Sequence, residues 1–299
     1  MGAAVAAIPA SERQALVELF DSMGGNKWRN GTGVAGRWLQ GDPCENRWYG
    51  VTCNANESHV TELFPSQVGS GNSLSGTIPA SIGNLSGLQH LVLSNAFTHE
   101  GALVGTIPES LANLRALRCV YFSHSRLAGT IPASFNQLTR MQGFFMRDNR
   151  LSGTVPDVSR WSDLRSVDLD SNKALTGNLS NFAELRKLVV LVMHNMGLSG
   201  ELPDSLCSIF ECDAHANEFQ CPLPAPPREG TACCGVTKCT NGSSTVSMHP
   251  PPQQAVSAAV INYSQTRRTP LQADPGDNRP YGPGYTCHCH TPTPRKPPQ

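Results

Sequence analysis

The chain has 299 residues, and its 23 Lys and Arg balance its 23 Asp and Glu, so the formal net charge is zero. Zero net charge gives no overall electrostatic footprint for nucleic acid and no basic arm for an anionic membrane. No stretch approaches the ~18 consecutive apolar residues of a membrane span, which predicts a chain without a transmembrane segment. Hydrophobic residues make up 39% of the sequence and aromatic residues 6%, which favours a thin aliphatic core.

The first ten residues, MGAAVAAIPA, are apolar but contain no basic residue. Their hydrophobic run is short for a signal peptide. N-myristoylation prefers Ser or Thr at residue 6, where this chain has Ala6. We interpret residues 1–10 as an apolar leader or its remnant, so a signal peptide is either atypical or missing.

An amphipathic helix is predicted over residues 11–23 because apolar residues recur at helical spacing. Ser11 and Gln14 predict a capping box at its start, and Gly24 ends it. The apolar positions are Leu16, Leu19, Phe20 and Met23. The stretch that follows, up to residue 59, supplies large apolar side chains and two cysteines, namely Trp28, Trp38, Trp48, Cys44 and Cys53.

From residue 60 to about residue 226 the sequence repeats itself. The glycine of an LxGxIP motif recurs at intervals of 21 to 29 residues, at Gly76, Gly105, Gly129, Gly153, Gly177 and Gly200, with Cys221 in the last copy. This period, with leucines in fixed positions, indicates leucine-rich repeats. The sequence therefore predicts an α/β repeat fold, a right-handed solenoid of about seven repeats with a parallel concave β-sheet.

Each position of the repeat has a physical reason. Asn149 and Asn172 follow the predicted strands, where a side-chain amide satisfies backbone groups that a bend leaves unpaired. The Gly-x-x-Pro segment is predicted to form the convex return. Ser125 and Met196 replace the asparagine in two repeats, and Ser180 replaces the proline in another.

The stretch from residue 12 to about residue 240 resembles plant-type extracellular leucine-rich repeat proteins. The resemblance rests on the pattern LxxLxLxxNxLxGxIPxxLxxL, on WYGVTC near the start and on NEFQCPLP near the end. It implies an N-terminal cap over residues 11–59, closed by a disulfide between Cys44 and Cys53, and a cysteine-rich C-terminal cap at residues 227–240. By analogy with receptor ectodomains and secreted enzyme-inhibiting repeat proteins, it also implies non-catalytic recognition.

Cysteines and glycosylation sequons predict an extracellular or cell-surface protein. Most of the eleven cysteines lie before and after the repeats, which predicts disulfides in the caps and an oxidising compartment. Pairings among the cysteines of the C-terminal cap stay open. Cys119 lies far from both groups and is expected to be a free thiol, with a disulfide to a partner as the alternative. Six N-x-(S/T) sequons are glycosylation candidates: Asn30, Asn56, Asn84, Asn178, Asn241 and Asn262.

The concave sheet is the predicted working face, because neighbouring strands align equivalent outward side chains in columns about 4.8 Å apart. The predicted ligand-binding residues in these columns are Val92, Tyr121, Phe145, Arg147, Asp168, Asp170 and His194. The aromatic residues among them are expected to point at solvent and to bind a ligand. The alternative is that they cover backbone or face an inserted loop at residues 96–102.

No enzyme signature, cofactor site or metal site is predicted. The sequence has no nucleophile elbow, phosphate-binding glycine loop or HExxH motif. His194 and His215 beside Asp170 lack a closed shell of metal ligands. Residues 241–299 form a proline-rich tail that is expected to be disordered. For Cys287 and Cys289 in its CHCH motif, a disulfide or no role is favoured over metal binding.

The function that these observations favour is non-catalytic recognition of a protein, peptide or glycan. A structural wall or matrix scaffold is the first alternative, and reduced cysteines would favour a cytosolic interaction scaffold. An ice- or polysaccharide-binding surface is a further alternative. It would use a ladder of threonines on the convex side, Thr77, Thr106, Thr130 and Thr154, which ends at Asn178 and Glu201.

Overall fold

A computed structural model describes residues 7–28, 38–65, 74–94, 102–225, 233–236 and 239–240. The described residues all belong to one compact unit. Of the helices in the described part of the chain, none has the length and apolar character needed to cross a bilayer. The insertion expected near residues 97–101 and the proline-rich tail lie outside the described residues, as does the CHCH motif.

The N-terminal helix α1 spans Ala10–Ser22, and its apolar face is buried as the spacing predicts. Gly24, with a φ of 74°, follows its end. The predicted capping box is wrong, because Pro9 precedes the first turn and no side chain caps it. The backbone amides of Glu12 and Arg13 instead donate to the Pro9 carbonyl oxygen. The side-chain amide of Gln14 donates to Glu18 Oε1.

The rest of the N-terminal cap is an aromatic cluster next to a disulfide. The ring of Trp38 lies 5.2 Å from that of Trp28 and 5.2 Å from that of Trp48. The disulfide between Cys44 and Cys53 is present, as the resemblance implied. This cluster covers the first repeat, whose aliphatic side chains would otherwise face water.

Seven parallel strands, one from each repeat, form the concave sheet, and the antiparallel strand β1 (Val51–Cys53) of the cap extends it. In spatial order the parallel strands are β2 (Val60–Leu63), β3 (His90–Val92), β5 (Cys119–Tyr121), β7 (Gly143–Phe145), β9 (Ser166–Asp168), β11 (Val190–Val192) and β13 (Glu211–Asp213). Short 3₁₀ helices connect many repeats on the outer side, at Ala80–Asn84, Glu109–Asn113, Ala133–Gln137, Ser180–Phe182 and Asp204–Ser208. Two further 3₁₀ helices lie in the caps, at Gly25–Lys27 and Cys233–Gly235.

A second parallel sheet, which the sequence did not predict, lies where only a turn was expected. Its six strands, in spatial order, are β14 (Glu218–Phe219), β12 (Gly197–Gly200), β10 (Ala174–Gly177), β8 (Arg150–Thr154), β6 (Arg126–Thr130) and β4 (Val104–Thr106). The expected threonine ladder is wrong, since equivalent residues of neighbouring repeats are offset in register. Thr106 lies opposite Ala128, and Thr130 lies opposite Ser152.

The repeated glycines allow neighbouring strands of the second sheet to pack closely. Gly129 and Gly153 have φ values of 77° and 81°, which only glycine adopts at low cost. A Cβ atom at Gly153 would also lie 2.9 Å from the methyl group of Thr130 in the preceding repeat. Conformation and space therefore both require glycine here.

Asparagines close the bends after several concave strands, as predicted. The amide of Asn149 donates to the carbonyl oxygens of Phe122 and Met146, and its Oδ1 accepts from the amide of Leu127. Asn172 and Asn217 make equivalent bonds in their repeats. Where Met196 replaces the asparagine, the Leu175 amide donates to the Asn172 carbonyl oxygen instead.

Three disulfides close the C-terminal end and settle pairings that the sequence left open. Cys207 pairs with Cys233, Cys212 with Cys234, and Cys221 with Cys239. Each bond joins the last repeats to the segment after them, so the C-terminal cap includes cysteines that precede the predicted boundary. Cys119 is also disulfide-bonded, so the expectation of a free thiol is wrong.

A buried carboxyl group attaches α1 to the first repeats. The side chain of Glu12 is 1% exposed, and its Oε2 accepts a hydrogen bond from the amide of Val60 on β2. Glu12 Oε1 lies 2.6 Å from His59 Nδ1 and accepts a hydrogen bond from the hydroxyl of Ser86. These three contacts connect residues 47 to 74 positions apart and fix the cap on the array.

Candidate functional site

The predicted columns of the concave sheet are in register. The structure aligns the central column across six strands through direct pairing of Val92, Tyr121, Phe145, Asp168, Val192 and Asp213. Arg147, Asp170 and His194 lie two residues further along β7, β9 and β11 and are joined by ion pairs. The structure therefore brings the predicted site residues together on one face.

Two stacked aromatic rings form the N-terminal half of this face. The ring centroids of Tyr121 and Phe145 are 4.3 Å apart and their planes differ by 6°. Only 7% of Tyr121 and 3% of Phe145 is exposed, and Val92 beside them is buried. The expectation that these side chains point at solvent is therefore wrong. The rings cover each other's faces, and both residues make further contacts.

The other half of the face is a network of charged side chains around Asp170. An Arg147 Nη lies 3.1 Å from Asp170 Oδ2, and His194 Nδ1 lies 2.9 Å from Asp170 Oδ1. The second Arg147 Nη is 3.7 Å from Asp168, which accepts a hydrogen bond from the Asp170 amide. Asp170 is 1% exposed. Because Asp170 is buried, solvent screens these ion pairs less than it screens exposed charge pairs.

A stacked pair of histidines continues the network to the edge of the sheet. The rings of His194 and His215 lie 4.6 Å apart at 21°, and His215 Nδ1 is 2.6 Å from Asp213 Oδ1. The side chains of His215 and Asp213 are 51% and 38% exposed. The polar groups of the concave face are thus buried near Asp168 and open towards β13.

Burial changes the protonation of two carboxyl groups on this face. Desolvation raises the pKa of Asp168 to about 7, although the nearby Arg147 charge acts in the opposite direction. The pKa of Glu211 is also raised, first by burial and then by the charge of Asp213. Sequence analysis missed Glu211. The sequence feature that could have identified Glu211 is its outward position on β13, two residues before Asp213.

Asp168 should make the stability of the protein depend on pH. The folded protein holds this proton up to about pH 7, whereas the unfolded chain releases it near the ordinary pKa of 3.8. The stabilising contribution is therefore complete below pH 3.8 and is lost as pH rises to about 7. For Asp168→Asn, we expect the melting temperature relative to the original protein to rise across this window and then to level off.

Thermal melts from acid to neutral pH measure this difference. Asp148→Asn is a suitable control, because the Asp148 side chain is 65% exposed on the bend after β7. A constant offset between Asp168→Asn and the original protein at all pH values would show that Asp168 does not titrate in this window.

The histidines and carboxylates of the concave face pair with one another. Among them, no group of three or more His, Cys, Asp or Glu side chains is arranged to hold a metal ion. His194 and His215 instead each face a separate carboxylate. Asp168 and Asp170 both face the guanidinium group of Arg147.

Three of the glycosylation candidates lie within the described residues and are exposed. Asn56 lies in a turn of the N-terminal cap, Asn84 in a 3₁₀ helix, and Asn178 after β10. None of the three is on the concave sheet. Asn30, Asn241 and Asn262 lie outside the described residues, and glycosylation at all six stays a prediction.

Comparisons with known proteins agree with this architecture. Residues 9–54 match the family described as leucine rich repeat N-terminal domain. The crystal structure of PEPR1-AtPEP1 superposes with a TM-score of 0.60 at 26% identity, over 72% of this chain and 29% of that chain. The ectodomain of the Arabidopsis thaliana receptor kinase GASSHO1/SCHENGEN3, in complex with CASPARIAN STRIP INTEGRITY FACTOR 2, gives 0.59 at 25% identity, over 71% and 25%.

A plant ice-binding protein shares the fold, with a TM-score of 0.56 at 23% identity over 71% of this chain and 65% of that chain. No curated protein sequence matches the chain. With coverages of 29%, 25% and 65%, this chain spans less than two thirds of the length of each of these three structures. The capped solenoid and the N-terminal match define a leucine-rich repeat protein. More closely, the chain resembles plant-type leucine-rich repeat proteins with an N-terminal cap.

Proposed function

We propose that the chain is a non-catalytic recognition module that binds a peptide or protein on its concave sheet. The observation that supports this most is the continuous network from Arg147 through Asp170 and His194 to His215. These side chains hold one another in place before a ligand arrives, which lowers the conformational entropy lost on binding. A scaffold surface has no need of such a network.

The ligand approaches from the β13 end of the sheet in this proposal. Side-chain exposure rises from 1% at Asp170 to 26% at His194 and 51% at His215. The two partly exposed imidazoles and the Asp213 carboxylate offer hydrogen-bond donors and acceptors to an extended backbone. The buried Tyr121 and Phe145 would support the surface from the N-terminal side.

The comparisons support a peptide or protein ligand over a glycan. The PEPR1-AtPEP1 structure has two named components, and the leucine-rich repeat ectodomain of GASSHO1/SCHENGEN3 is in complex with CASPARIAN STRIP INTEGRITY FACTOR 2. Both resemble this chain at 25% identity or more, and the match covers 29% and 25% of their lengths.

We place the protein outside the cell or at the cell surface. The four described disulfides, at both ends of the repeat array, are typical of an oxidising compartment. Reduced Cys44 and Cys53 in protein recovered from its native source would contradict this location and favour a cytosolic scaffold.

A peptide selection tests the concave site. A library of random peptides displayed on phage is selected on the original protein, and the enriched peptides are tested on a His194→Ala/His215→Ala double variant. We expect these peptides to lose most of their affinity for the double variant, because both side chains are accessible contacts. Tyr121 and Phe145 are unsuitable for this test, since their burial couples binding to stability.

The matched control is Arg126→Ala/Arg150→Ala, which changes two exposed residues of the second sheet. Enriched peptides should bind this control as they bind the original protein. Equal binding to both double variants would move the site away from the concave face. If no peptide is enriched at all, a wall or matrix scaffold is favoured instead.

A further inference from the structure

A row of residues borders the concave sheet at the start of its strands, one from each repeat. The amide of Arg118 donates to the Gln89 carbonyl oxygen, that of Gln142 to Arg118, that of Arg165 to Gln142, and that of Val189 to Arg165. These backbone bonds place Arg118 and Arg165 two strands apart, at about 10 Å. The part of this row from Arg118 to Val189, with the turns that lead into it, is called the basic edge below.

The basic edge carries far more positive charge than the rest of the molecule. It consists of four segments of equal length, residues 113–118, 137–142, 160–165 and 184–189. They contain two acidic residues, Asp163 and Glu184, against seven basic ones, a net charge of +5 in a chain whose total is zero. The basic residues are Arg115, Arg118, Arg140, Arg160, Arg165, Arg186 and Lys187.

Most of these charges have no internal partner. Lys187 pairs with Asp163 at 2.5 Å, and Arg115 donates to Gln137. Within the described residues, none of the six arginines of this edge forms an ion pair. The pKa of Asp163 is lowered first by its hydrogen bond from Lys187 and further by the charges of Lys187, Arg165 and Arg118. These three cations therefore lie close to the Asp163 carboxylate, and their like charges repel one another.

We propose that the basic edge binds a linear polymer of uronic acids, that is, a polysaccharide with regularly spaced carboxylates. Six of the seven cations are arginines, whose planar guanidinium group matches a carboxylate with two parallel hydrogen bonds. One row of cations along successive repeats suits a linear partner, because each repeat presents its side chains at the same height.

The compartment favours a polysaccharide over a nucleic acid. A guanidinium group binds phosphate as well as carboxylate, so charge alone does not distinguish the two polymers. The disulfides in both caps belong to an oxidising compartment, where acidic polysaccharides are the common linear polyanions. This inference is independent of the peptide site, because it uses the edge of the sheet and not its face.

Binding of galacturonic acid oligomers tests the inference, measured by calorimetry at low and at physiological salt. We expect the original protein to bind them and to lose affinity as salt rises. Arg118→Gln/Arg165→Gln should weaken binding about tenfold, since each removes one charge contact at an accessible site. The control Arg126→Gln/Arg150→Gln removes the same charge from exposed positions on the second sheet and should leave binding unchanged.

Four results would overturn the inference. Fully methyl-esterified oligomers that bind as tightly would show that carboxylates are not recognised. Equal weakening by both double variants would reduce the effect to the net charge of the protein. Single-stranded DNA that binds as tightly and depends on Arg118 and Arg165 would reveal a site for polyanions in general. Absence of binding by the original protein would also reject it.

Discussion

Replacing Glu12 with alanine should lower the free energy of unfolding by about 3 kcal/mol or more, because several buried polar groups lose their acceptor together. The carboxyl group of Glu12 accepts from the amide of Val60 and the hydroxyl of Ser86 and faces His59 Nδ1. Alanine leaves the Val60 amide buried without a partner. Because the cap protects the first repeat from water, the loss should reach the whole array.

Denaturant unfolding with two probes measures this effect. Three of the four tryptophans, Trp28, Trp38 and Trp48, are in the cap, so their fluorescence reports mainly on it. Circular dichroism reports on the repeats. We expect the fluorescence transition of Glu12→Ala to shift to lower denaturant concentration and the circular dichroism transition to follow it. A smaller shift is expected for Glu12→Gln, which keeps one acceptor oxygen for the Val60 amide.

Glu45→Ala, an exposed acidic residue of the same cap, is the control and should change the free energy of unfolding by less than about 0.5 kcal/mol. Equal stability of Glu12→Ala and Glu45→Ala would mean that the cap is held by its aromatic cluster alone. The hydrogen bonds of Glu12 would then be incidental to the attachment of α1.

The buried position of Glu12 could have been predicted from the sequence, although only the apolar residues of α1 were used to predict the helix. Glu12 precedes Ala15, Leu16 and Leu19 by three, four and seven positions, so it lies on the buried face of α1. A charged residue in that position needs a partner. His59 and Ser86 are 47 and 74 residues away, and no local pattern identifies partners at that distance.

Periodicity predicted the repeat fold because each repeat is a local unit that recurs. The inward side chains of the strands and the asparagines of the bends depend only on the repeat itself. The second sheet was missed because its strands are two to five residues long. Most of them contain glycine and are soon followed by proline, and local rules assign both residues to turns. Its register depends on the offset between neighbouring repeats, which no single repeat encodes.

The columns of the concave face were predictable, but their exposure was not. Alternation along a strand determines that Tyr121 and Phe145 point outward from the solenoid core. Whether an outward side chain is exposed depends on what else contacts it, and both rings are buried. The same holds for Asp168, whose raised pKa follows from burial. The repeat determines the direction in which a side chain points, whereas the whole molecule determines how far that side chain is buried.

Asn172→Ala should also be strongly destabilising, by about 3 kcal/mol, because it leaves several buried backbone groups without partners. Asn172 is fully buried in the middle of the array. Its amide donates to the carbonyl oxygens of Met146 and Leu169, and its Oδ1 accepts from the amide of Leu151. One side chain therefore serves two neighbouring repeats, and its loss should uncouple them.

Thermal and denaturant unfolding measure the loss, with Asn113→Ala as the matched control. Asn113 is an exposed asparagine at the end of a 3₁₀ helix, so its replacement should be nearly neutral. In a solenoid, stability is the sum of repeat and interface contributions, and a weakened central interface should separate one unfolding transition into two. A single transition with the original midpoint would show that the asparagine ladder is dispensable. One repeat already lacks the asparagine: where Met196 replaces it, the backbone carbonyl oxygen of Asn172 accepts the hydrogen bond from the Leu175 amide.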